Sequence, residues 1–375
     1  MAAVQEWGGA PAAAGDRILV ATQWQLMWWR FRKHRLAVAS AALIAGFYLV
    51  VLGAEFFAYA DPHASNAQRS LIPPQPVHLF DGRAFSPFVY PLRGARDPNT
   101  FQRVYVPDRR SRMRIELFAR GFPYRLFGVI PLDRHLIGVP GADAADALFV
   151  LGTDVQGRDL WSRLMYATRT SMTIGLVAVA LSLCLGVALG GLSGFYPGTV
   201  DTVIQRAIEV IRSIPTIPLW MGLAAAMPQT WSVTRVYFEI TIIISLIGWT
   251  ELARVVRGRF LALREEEFVT AAEVAGASPA RIIFRHMVPS FLSHIIAATT
   301  LALPAMIISE TSLSFLGLGL RPPALSWGVL LQNAQNIESV ALSPWLLSPA
   351  ALVILAVLAF NFLGDGLRDA ADPYG

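Results

Sequence analysis

Long apolar stretches that carry no formal charge recur along the chain. Because a helix needs about 20 predominantly apolar residues to cross the hydrocarbon core of a bilayer, each uncharged stretch of about 18 residues or more is a candidate span. Another stretch, 236–256, is apolar between Tyr237 and Trp249 but is interrupted by Glu239 and Glu251. The five uncharged stretches are 36–54, 171–200, 213–234, 287–309 and 339–364. Together with 236–256 they predict six transmembrane helices.

The composition is that of an integral membrane protein. Of the 375 residues, 54% are hydrophobic and 15% are charged, and the mean hydropathy is +0.49, which is too apolar for an ordinary soluble domain. The first span is too long for a signal peptide and lacks a small-residue cleavage site, so we expect it to remain in the mature chain. The net charge of +5 fits basic flanks that meet anionic lipid. Nucleic acid is not an expected partner, because the sequence has no basic stripe interleaved with stacking aromatic residues.

Basic residues beside the spans predict the orientation. Arginine and lysine cluster in 30–35, before the first span, and six arginines lie in 254–289, between the fourth and fifth spans. Positively charged flanks tend to stay on the cytoplasmic side, so both segments are expected there. Six crossings then return the C-terminus to the side of the N-terminus, so both termini are expected in the cytoplasm.

The spans divide the chain into four parts. Residues 1–35 place tryptophans among arginines, as in a helix that lies at the cytoplasmic membrane interface. The first transmembrane helix takes 36–58, an extracytoplasmic insertion takes 59–168, and a transmembrane core takes 169–375. Within the second span, glycines one helical turn apart permit close helix contact, and the single cysteine, Cys184, is interpreted as a packing residue.

The insertion differs from the rest of the chain in its many prolines and arginines. Alternating polar and apolar residues in 112–118 predict a half-buried strand, and hence a small strand-containing subdomain. Two roles stay open for this subdomain. It could contact a soluble partner or substrate, or it could shield the extracytoplasmic mouth of the transport path. Near its end, Asp154, Arg158 and Asp159 are interpreted as a charge-paired turn on the outer surface rather than a substrate site.

The polar connection 254–289 carries the signals of two helices. Three glutamates at 265–267 favour a helix start because they oppose the helix dipole, and Gly276 can end that helix. Ser278 is a helix cap followed by Pro279 at the first helical position, so a second helix is expected to begin there and to run into the fifth span. The pattern predicts two short helices hinged at Gly276 and tied to membrane helices at both ends, an arrangement suited to transmitting force.

This connection resembles the signature cytoplasmic loop of binding-protein-dependent ATP-binding-cassette (ABC) importer permeases. That loop has the pattern Glu-Ala-Ala, three residues, Gly, then Ile and a His-x-x-Pro-like ending. The chain has Thr270 where the family most often has glutamate, which argues against a salt bridge at that position. The matching residues are Ala271, Ala272, Gly276, Ile282, His286 and Pro289.

Four further stretches narrow the resemblance to the second, C-type membrane subunit of the dipeptide and oligopeptide permease group. They are 151–159, 310–319, 322–328 and 361–369. The resemblance implies an all-α polytopic membrane protein with six transmembrane helices of the MetI-like importer type, carrying the strand-containing extracytoplasmic insertion. It also implies a location in the bacterial cytoplasmic (inner) membrane. For the loop it implies a role in coupling to the ATPase, and Thr270 and Ser278 are candidate coupling residues together with the matching ones.

The energy for transport must come from another polypeptide. Lys33 is the only lysine and lies outside any Gly-x4-Gly-Lys-Ser/Thr pattern, so the sequence lacks a loop for ATP phosphates. The resemblance implies a homologous second permease subunit, two cytoplasmic ABC ATPase subunits that bind ATP and magnesium, and an extracytoplasmic substrate-binding protein. For this chain it implies no catalytic residue, cofactor or metal.

Several alternatives stay open at this point. Peptides are the expected substrate, but the same permease group is also used for oligosaccharides, opines and nickel. A secondary transporter should show inverted repeats and charged residues near span centres, and the sequence shows neither clearly. An intramembrane enzyme would need a paired nucleophile and base, which the sequence does not offer. Glu310 and Pro304, in the fifth span, are candidates for an outer gate or for helix packing.

Overall fold

The computed structural model is mainly helical, with a strand-containing subdomain between the first two long helices. The residues that it describes are 23–96, 98, 103–140, 148–228 and 230–371. The predicted interfacial segment 1–35 is described from Gln23 onward, where a helix begins, and its earlier part lies outside the described residues.

The helices include long membrane-length elements and short connecting ones. In chain order they are α1 (Gln23–Lys33), α2 (Arg35–Leu52), α3 (Ala54–Phe57), α4 (Leu160–Phe195), α5 (Thr199–Ser213), α6 (Thr216–Ala225), α7 (Val233–Leu263), α8 (Glu267–Val274), α9 (Pro279–Arg281), α10 (Val288–Ser290), α11 (Leu292–Phe315), α12 (Trp327–Leu331), α13 (Ile337–Leu342) and α14 (Ser348–Ala371). A π-helix, Ile282–Met287, lies between α9 and α10.

Short antiparallel strands build the subdomain. In chain order they are β1 (His78–Asp81), β2 (Ala84–Val89), β3 (Leu92–Arg96), β4 (Arg103–Pro107), β5 (Met113–Arg114), β6 (Glu116–Leu117), β7 (Arg120–Leu126), β8 (Ile130–Arg134) and β9 (Ile137–Gly138). They pair as β1-β2-β5, β3-β4, β6-β9 and β7-β8. The predicted strand-containing subdomain is confirmed, and the strand predicted over 112–118 is present as two short strands: the chain changes partner at Ile115, so that β5 pairs with β2 while β6 pairs with β9.

Five predicted spans overlap α2, α4, α7, α11 and α14, which in the described part of the chain are the helices long and apolar enough to cross a membrane. The last of them, predicted over 339–364, begins as α14 only at Ser348. The stretch interrupted by Glu239 and Glu251 is thus one continuous helix, α7. Helix α4 has 36 residues, or about 54 Å at 1.5 Å per residue, against a hydrocarbon core of about 30 Å. The helix is therefore several turns longer than the hydrocarbon core, and it begins at Leu160, within the part of the chain assigned to the insertion.

The predicted span 213–234 is not a single helix. Its helical part is α6, which has 10 residues and is too short to cross a bilayer alone. The helix breaks at Ile214, because the residue before a proline is disfavoured in the helical region. The amphipathic helix α5 precedes the break, and Arg257 of α7 holds it by donating two hydrogen bonds of 2.6 Å to Asp201.

Helices α4 and α7 run parallel, so the chain between them must cross back. The Ser245 hydroxyl of α7 donates to the Ala178 carbonyl of α4 at 3.2 Å. Further along both helices, a Cβ on Gly194 would collide with the backbone of Arg257. Residue numbers thus rise together along the pair. The chain that returns from the end of α4 to the start of α7 contains α5 and α6, neither of which is a membrane-length helix.

Small residues of α4 permit this close approach, as predicted. A Cβ on Gly186 would collide with the Leu252 side chain, and one on Gly190 with the backbone of Ala253. Cys184, in contrast, is exposed on α4. Its interpretation as a packing residue was wrong for this chain, because the helix face that carries it turns away from α7.

Both described ends of the chain lie at the same end of the helix bundle. A Cβ on Gly366, near the end of α14, would meet Ala37 at the start of α2. Arg368 of α14 lies within electrostatic range of His294, at the start of α11. Because α11 follows the connection 254–289, that connection also lies at this end. The arrangement fits an even number of crossings.

The predicted charge-paired turn is present, but it is buried rather than on the surface. Asp154 accepts a 2.7 Å hydrogen bond from the Arg158 side chain, and the Arg163 Nε lies 3.5 Å from it. Asp159 caps α4 by accepting from the Ser162 N–H at 2.7 Å, and it accepts another hydrogen bond from the Tyr59 hydroxyl at 2.7 Å. The turn therefore fixes the start of α4 to the chain that leaves the first span.

Because Asp159 is buried, we expect the free energy of unfolding to depend on pH. Burial raises the pKa of this carboxyl from 3.8 to about 6, although hydrogen bonds from Ser162 and Tyr59 oppose the shift. The folded protein therefore binds the proton more tightly than the unfolded chain, so stability should fall as pH rises from about 4 through 6, by about 3 kcal/mol in total.

The measurement is the unfolding temperature of the purified protein at several pH values. Asp159→Asn keeps an amide oxygen that can cap α4 and should lose this part of the pH dependence. A variant with the same pH profile as the wild type would contradict the assignment.

Candidate coupling site

The connection 254–289 forms the two-helix element that the sequence predicts. Helix α8 begins after Glu266 and ends before Gly276, whose φ of +76° lies in the left-handed region. The Ser278 hydroxyl accepts from the Arg281 N–H at 3.4 Å and Pro279 opens α9. We call residues 264–290 the coupling loop.

The second helix differs from the prediction in its geometry. It does not run into the fifth span as one α-helix, because the π-helix Ile282–Met287 replaces its middle and Phe291 interrupts it with a φ of −125°. Pro289 has no N–H and so cannot donate to the carbonyl four residues earlier, which disfavours a regular α-helix here. The fifth span accordingly begins at Leu292 rather than at 287.

A compact apolar cluster joins the coupling loop to the membrane helices. Val269 of α8 is fully buried, and it belongs to one cluster with side chains from α7, the π-helix and α11. The buried members are Val256, Phe260, Val269, Ile282, Ile283, Met287, Phe291 and Ile295. Because interiors of this kind are close-packed, a displacement of α8 is transmitted to α7 and α11 rather than absorbed.

The predicted site residues fall into three groups. Ile282 is buried in the supporting cluster, so it is not available for contact with another protein. Ala272 and His286 are half-buried. The exposed group is Thr270, Ala271, Gly276, Ser278 and Pro289. The Thr270 hydroxyl lies 3.5 Å from the carbonyl oxygen of Glu266, the residue that precedes α8.

Three exposed apolar side chains on the coupling loop were missed by the sequence reasoning. Phe268 and Val274 lie on the exposed side of α8, and Phe284 lies on the π-helix. Val274 is 85% exposed. The helical spacing of 268, 271 and 274 could have indicated this stripe, because these positions share one side of a helix. Large apolar side chains exposed on one short element are candidates for contact with a partner.

Glu310 and Pro304 lie in the packed interior of α11. Glu310 is fully buried and accepts hydrogen bonds of 2.8 Å from the hydroxyls of Ser171 and Ser314. The Ser171 oxygen in turn accepts from the Trp327 N–H at 3.0 Å. The carboxyl thus joins α4, α11 and the start of α12, which favours helix packing over an outer gate.

A cavity of about 840 Å³ lies between α4, α6, α7 and α11. Its walls are mainly apolar, with Ile244, Leu252 and Met306 among the lining residues. Neither Glu310 nor Pro304 lines this cavity. Charged and titratable side chains lie where it approaches the coupling-loop end of the bundle: Arg212, Glu251, His294 and Arg368.

Comparison with known families identifies the chain. Residues 186–374, just over half of the sequence, match the family described as binding-protein-dependent transport system inner membrane component. This match includes the coupling loop and most of the cavity lining. The chain belongs to this family. The protein is therefore a multi-pass membrane permease subunit, and residues 22–74 additionally match the N-terminal transmembrane domain of oligopeptide transport permease C.

Relatives of the permease carry peptide transport names. The oligopeptide transport system permease protein OppC of Escherichia coli (strain K12) is 40% identical over 223 residues, covering 59% of this chain and 71% of the relative. OppC of Bacillus subtilis (strain 168) is 36% identical over 223 residues, covering 59% and 70%. The dipeptide transport system permease protein DppC of the same organism is 37% identical over 224 residues, covering 59% and 68%.

Among solved structures, the permease is similar to a chain of the MetNI methionine ABC transporter in an inward-facing conformation. The TM-score is 0.44 at 19% sequence identity, covering 55% of the permease and 95% of that chain.

Proposed function

We propose that the permease is one of two membrane subunits of an ATP-driven ABC importer for dipeptides and oligopeptides. The observation that carries the proposal is the coupling loop, with an exposed apolar surface on one side and a rigid apolar cluster joining it to α7 and α11 on the other. The names of the relatives support peptides as the substrate class.

The coupling loop would contact one of two cytoplasmic ATPase subunits, which bind ATP and magnesium. Phe268, Val274 and Phe284 supply the apolar contact, and Gly276 sets the angle between the two helices of the loop. When ATP closes the ATPase pair, the supporting cluster would carry the motion of α8 to α7 and α11. The membrane helices then change between two packings, as rigid bodies.

The cavity would form this subunit's part of the substrate path, with a homologous second permease subunit completing it. The mainly apolar walls of the cavity can accommodate peptide substrates with different side chains. The guanidinium groups of Arg212 and Arg368 can bind the terminal carboxylate of a peptide. An extracytoplasmic binding protein would deliver the substrate at the opposite end. The arginine-rich flanks support a cytoplasmic position for the coupling loop and both termini, and the bacterial relatives support the inner membrane as the location.

Replacing Val274 with aspartate is expected to weaken the association with the ATPase subunits. The charge would stand in the middle of the apolar contact and would lose its hydration there, at a cost of several kcal/mol for an unpaired buried carboxylate. The measurement is the amount of ATPase subunit that copurifies with the tagged permease, together with the ATP hydrolysis of the complex.

Ile337→Asp is the matched control, because Ile337 is also 85% exposed but lies in α13, away from the coupling loop. Full copurification with Val274→Asp would contradict the proposed contact. Equal losses from both variants would indicate a general effect of the charge instead.

A further inference from the structure

The hairpin of β7 and β8 exposes several large apolar side chains. Around its turn, Phe127, Val129 and Ile130 are exposed, and Leu132 follows on β8. Val129 is 77% exposed. Soluble surfaces rarely gather such side chains without a partner, and neither the coupling loop nor the cavity accounts for this patch.

The strand register places part of this patch on one face of the hairpin. Tyr124 pairs with Leu132, and Leu126 pairs with Ile130. Successive side chains of a strand point to opposite faces, so these four residues share a face. Near the turn the opposite face carries Arg125, so this part of the hairpin is apolar on one side and charged on the other. Further from the turn, Asp133 lies on the Arg125 face and Arg134 follows Leu132 on the apolar face.

The base of the hairpin is fixed at the boundary of the first span. The Tyr124 ring lies 5.0 Å from the ring of His135, on the apolar face. The His135 Nδ1 in turn lies 3.0 Å from the carbonyl oxygen of Glu55. Glu55 follows the end of α2 at Leu52 by one helical turn. The base of the hairpin therefore lies beside the residues that follow the end of α2.

An exposed apolar surface also continues from the membrane helix to the subdomain. Leu49 and Leu52 are exposed on the last turns of α2, a helix long and apolar enough to cross a membrane. Beyond them, the Phe56 ring lies 5.9 Å from the ring of Phe118, which is exposed just before β7. This succession of apolar side chains from a membrane-length helix to the hairpin favours lipid as the partner of the patch.

We propose that the β7–β8 hairpin inserts its apolar face and turn into the outer leaflet of the bilayer, at the depth of the phospholipid headgroups. Aromatic and aliphatic side chains bury in the boundary between headgroups and acyl chains, while arginine on the opposite face can donate paired hydrogen bonds to lipid phosphates. The insertion would thereby contact the membrane at a second point, separate from the first transmembrane helix, α2.

Site-directed spin labelling tests the proposal with little background, because Cys184 is the only cysteine. In a Cys184→Ser background, Val129→Cys carries a nitroxide in one sample and Phe85→Cys carries it in another. Phe85 is 69% exposed but lies on β2, in the other hairpin. The full chain, with the subunits that copurify with it, is reconstituted in vesicles of phosphatidylethanolamine and phosphatidylglycerol. Power saturation then compares collisions with oxygen, which partitions into lipid, and with a water-soluble nickel chelate.

The ratio of oxygen to nickel collisions is expected to be several times higher at position 129 than at position 85. A label on Leu132→Cys should agree with position 129, which guards against a local distortion by one label. Equal ratios at 129 and 85 would overturn the proposal. Two further results would overturn the proposal, because each indicates a protein partner. In the first, neither reagent reaches the label at position 129. In the second, the nickel chelate reaches this label only while the binding protein is absent.

Discussion

Replacing Gly276 with alanine is expected to lower ATP-driven uptake about 5- to 30-fold while leaving the amount of permease in the membrane unchanged. Gly276 has a φ of +76°, and this left-handed conformation costs a residue with a Cβ roughly 1–2 kcal/mol. A tenfold change corresponds to about 1.4 kcal/mol. An added Cβ would meet no atom within 4 Å, so the effect would come from the backbone angle and not from a collision.

Gly258→Ala is the control for this substitution. A Cβ at Gly258 also meets nothing within 4 Å, but this glycine lies inside α7 and has no positive φ. Uptake into vesicles and ATP hydrolysis are measured for both variants. If Gly276→Ala transports as well as Gly258→Ala, the hinge assigned to the coupling loop is contradicted.

Replacing Glu310 with alanine is expected to destabilise the permease by about 3–5 kcal/mol, because truncation leaves a cavity and unpaired buried hydroxyl groups. The hydroxyls of Ser171 and Ser314 would both lose their acceptor. Little folded protein should then be recovered from the membrane. Thermal unfolding in detergent and the yield of monodisperse protein measure the effect.

Glu310→Gln separates packing from gating. A glutamine can accept one hydrogen bond and donate another, and a serine hydroxyl can reverse its role, so this variant should keep most of the stability and the uptake. A charged gate would instead require the carboxylate. Normal folding of Glu310→Gln with lost uptake would contradict the packing role.

Local signals explain why the coupling loop could be predicted closely. A cap followed by proline at Ser278 and Pro279, and a glycine that ends α8, depend on a few neighbouring residues. The length of the apolar stretches likewise predicts the membrane helices, since it depends only on bilayer thickness. The exception is the third predicted span, 213–234, where the helix breaks at Ile214 and only the 10-residue α6 follows.

Other features depend on residues that are far apart in the chain. The partners of Glu310 come from α4 as well as from its own helix, so the sequence left its role open between gate and packing. Strand pairing in the insertion is also non-local, and the exchange of partners at Ile115 has no signature in the alternation of 112–118. The exposure of Val274 and Phe284 depends on how α8 packs on Val256 and Phe260, which periodicity alone does not determine.

The most direct test of the central claim is uptake of a labelled oligopeptide into vesicles that contain the permease, its second membrane subunit and the ATPase pair, with the binding protein supplied on the outer side. We predict uptake that requires ATP and magnesium inside the vesicle, continues in the presence of an uncoupler, and falls with Gly276→Ala but not with Gly258→Ala. Uptake that proceeds without ATP and is abolished by the uncoupler would contradict the account and favour an ion-driven transporter.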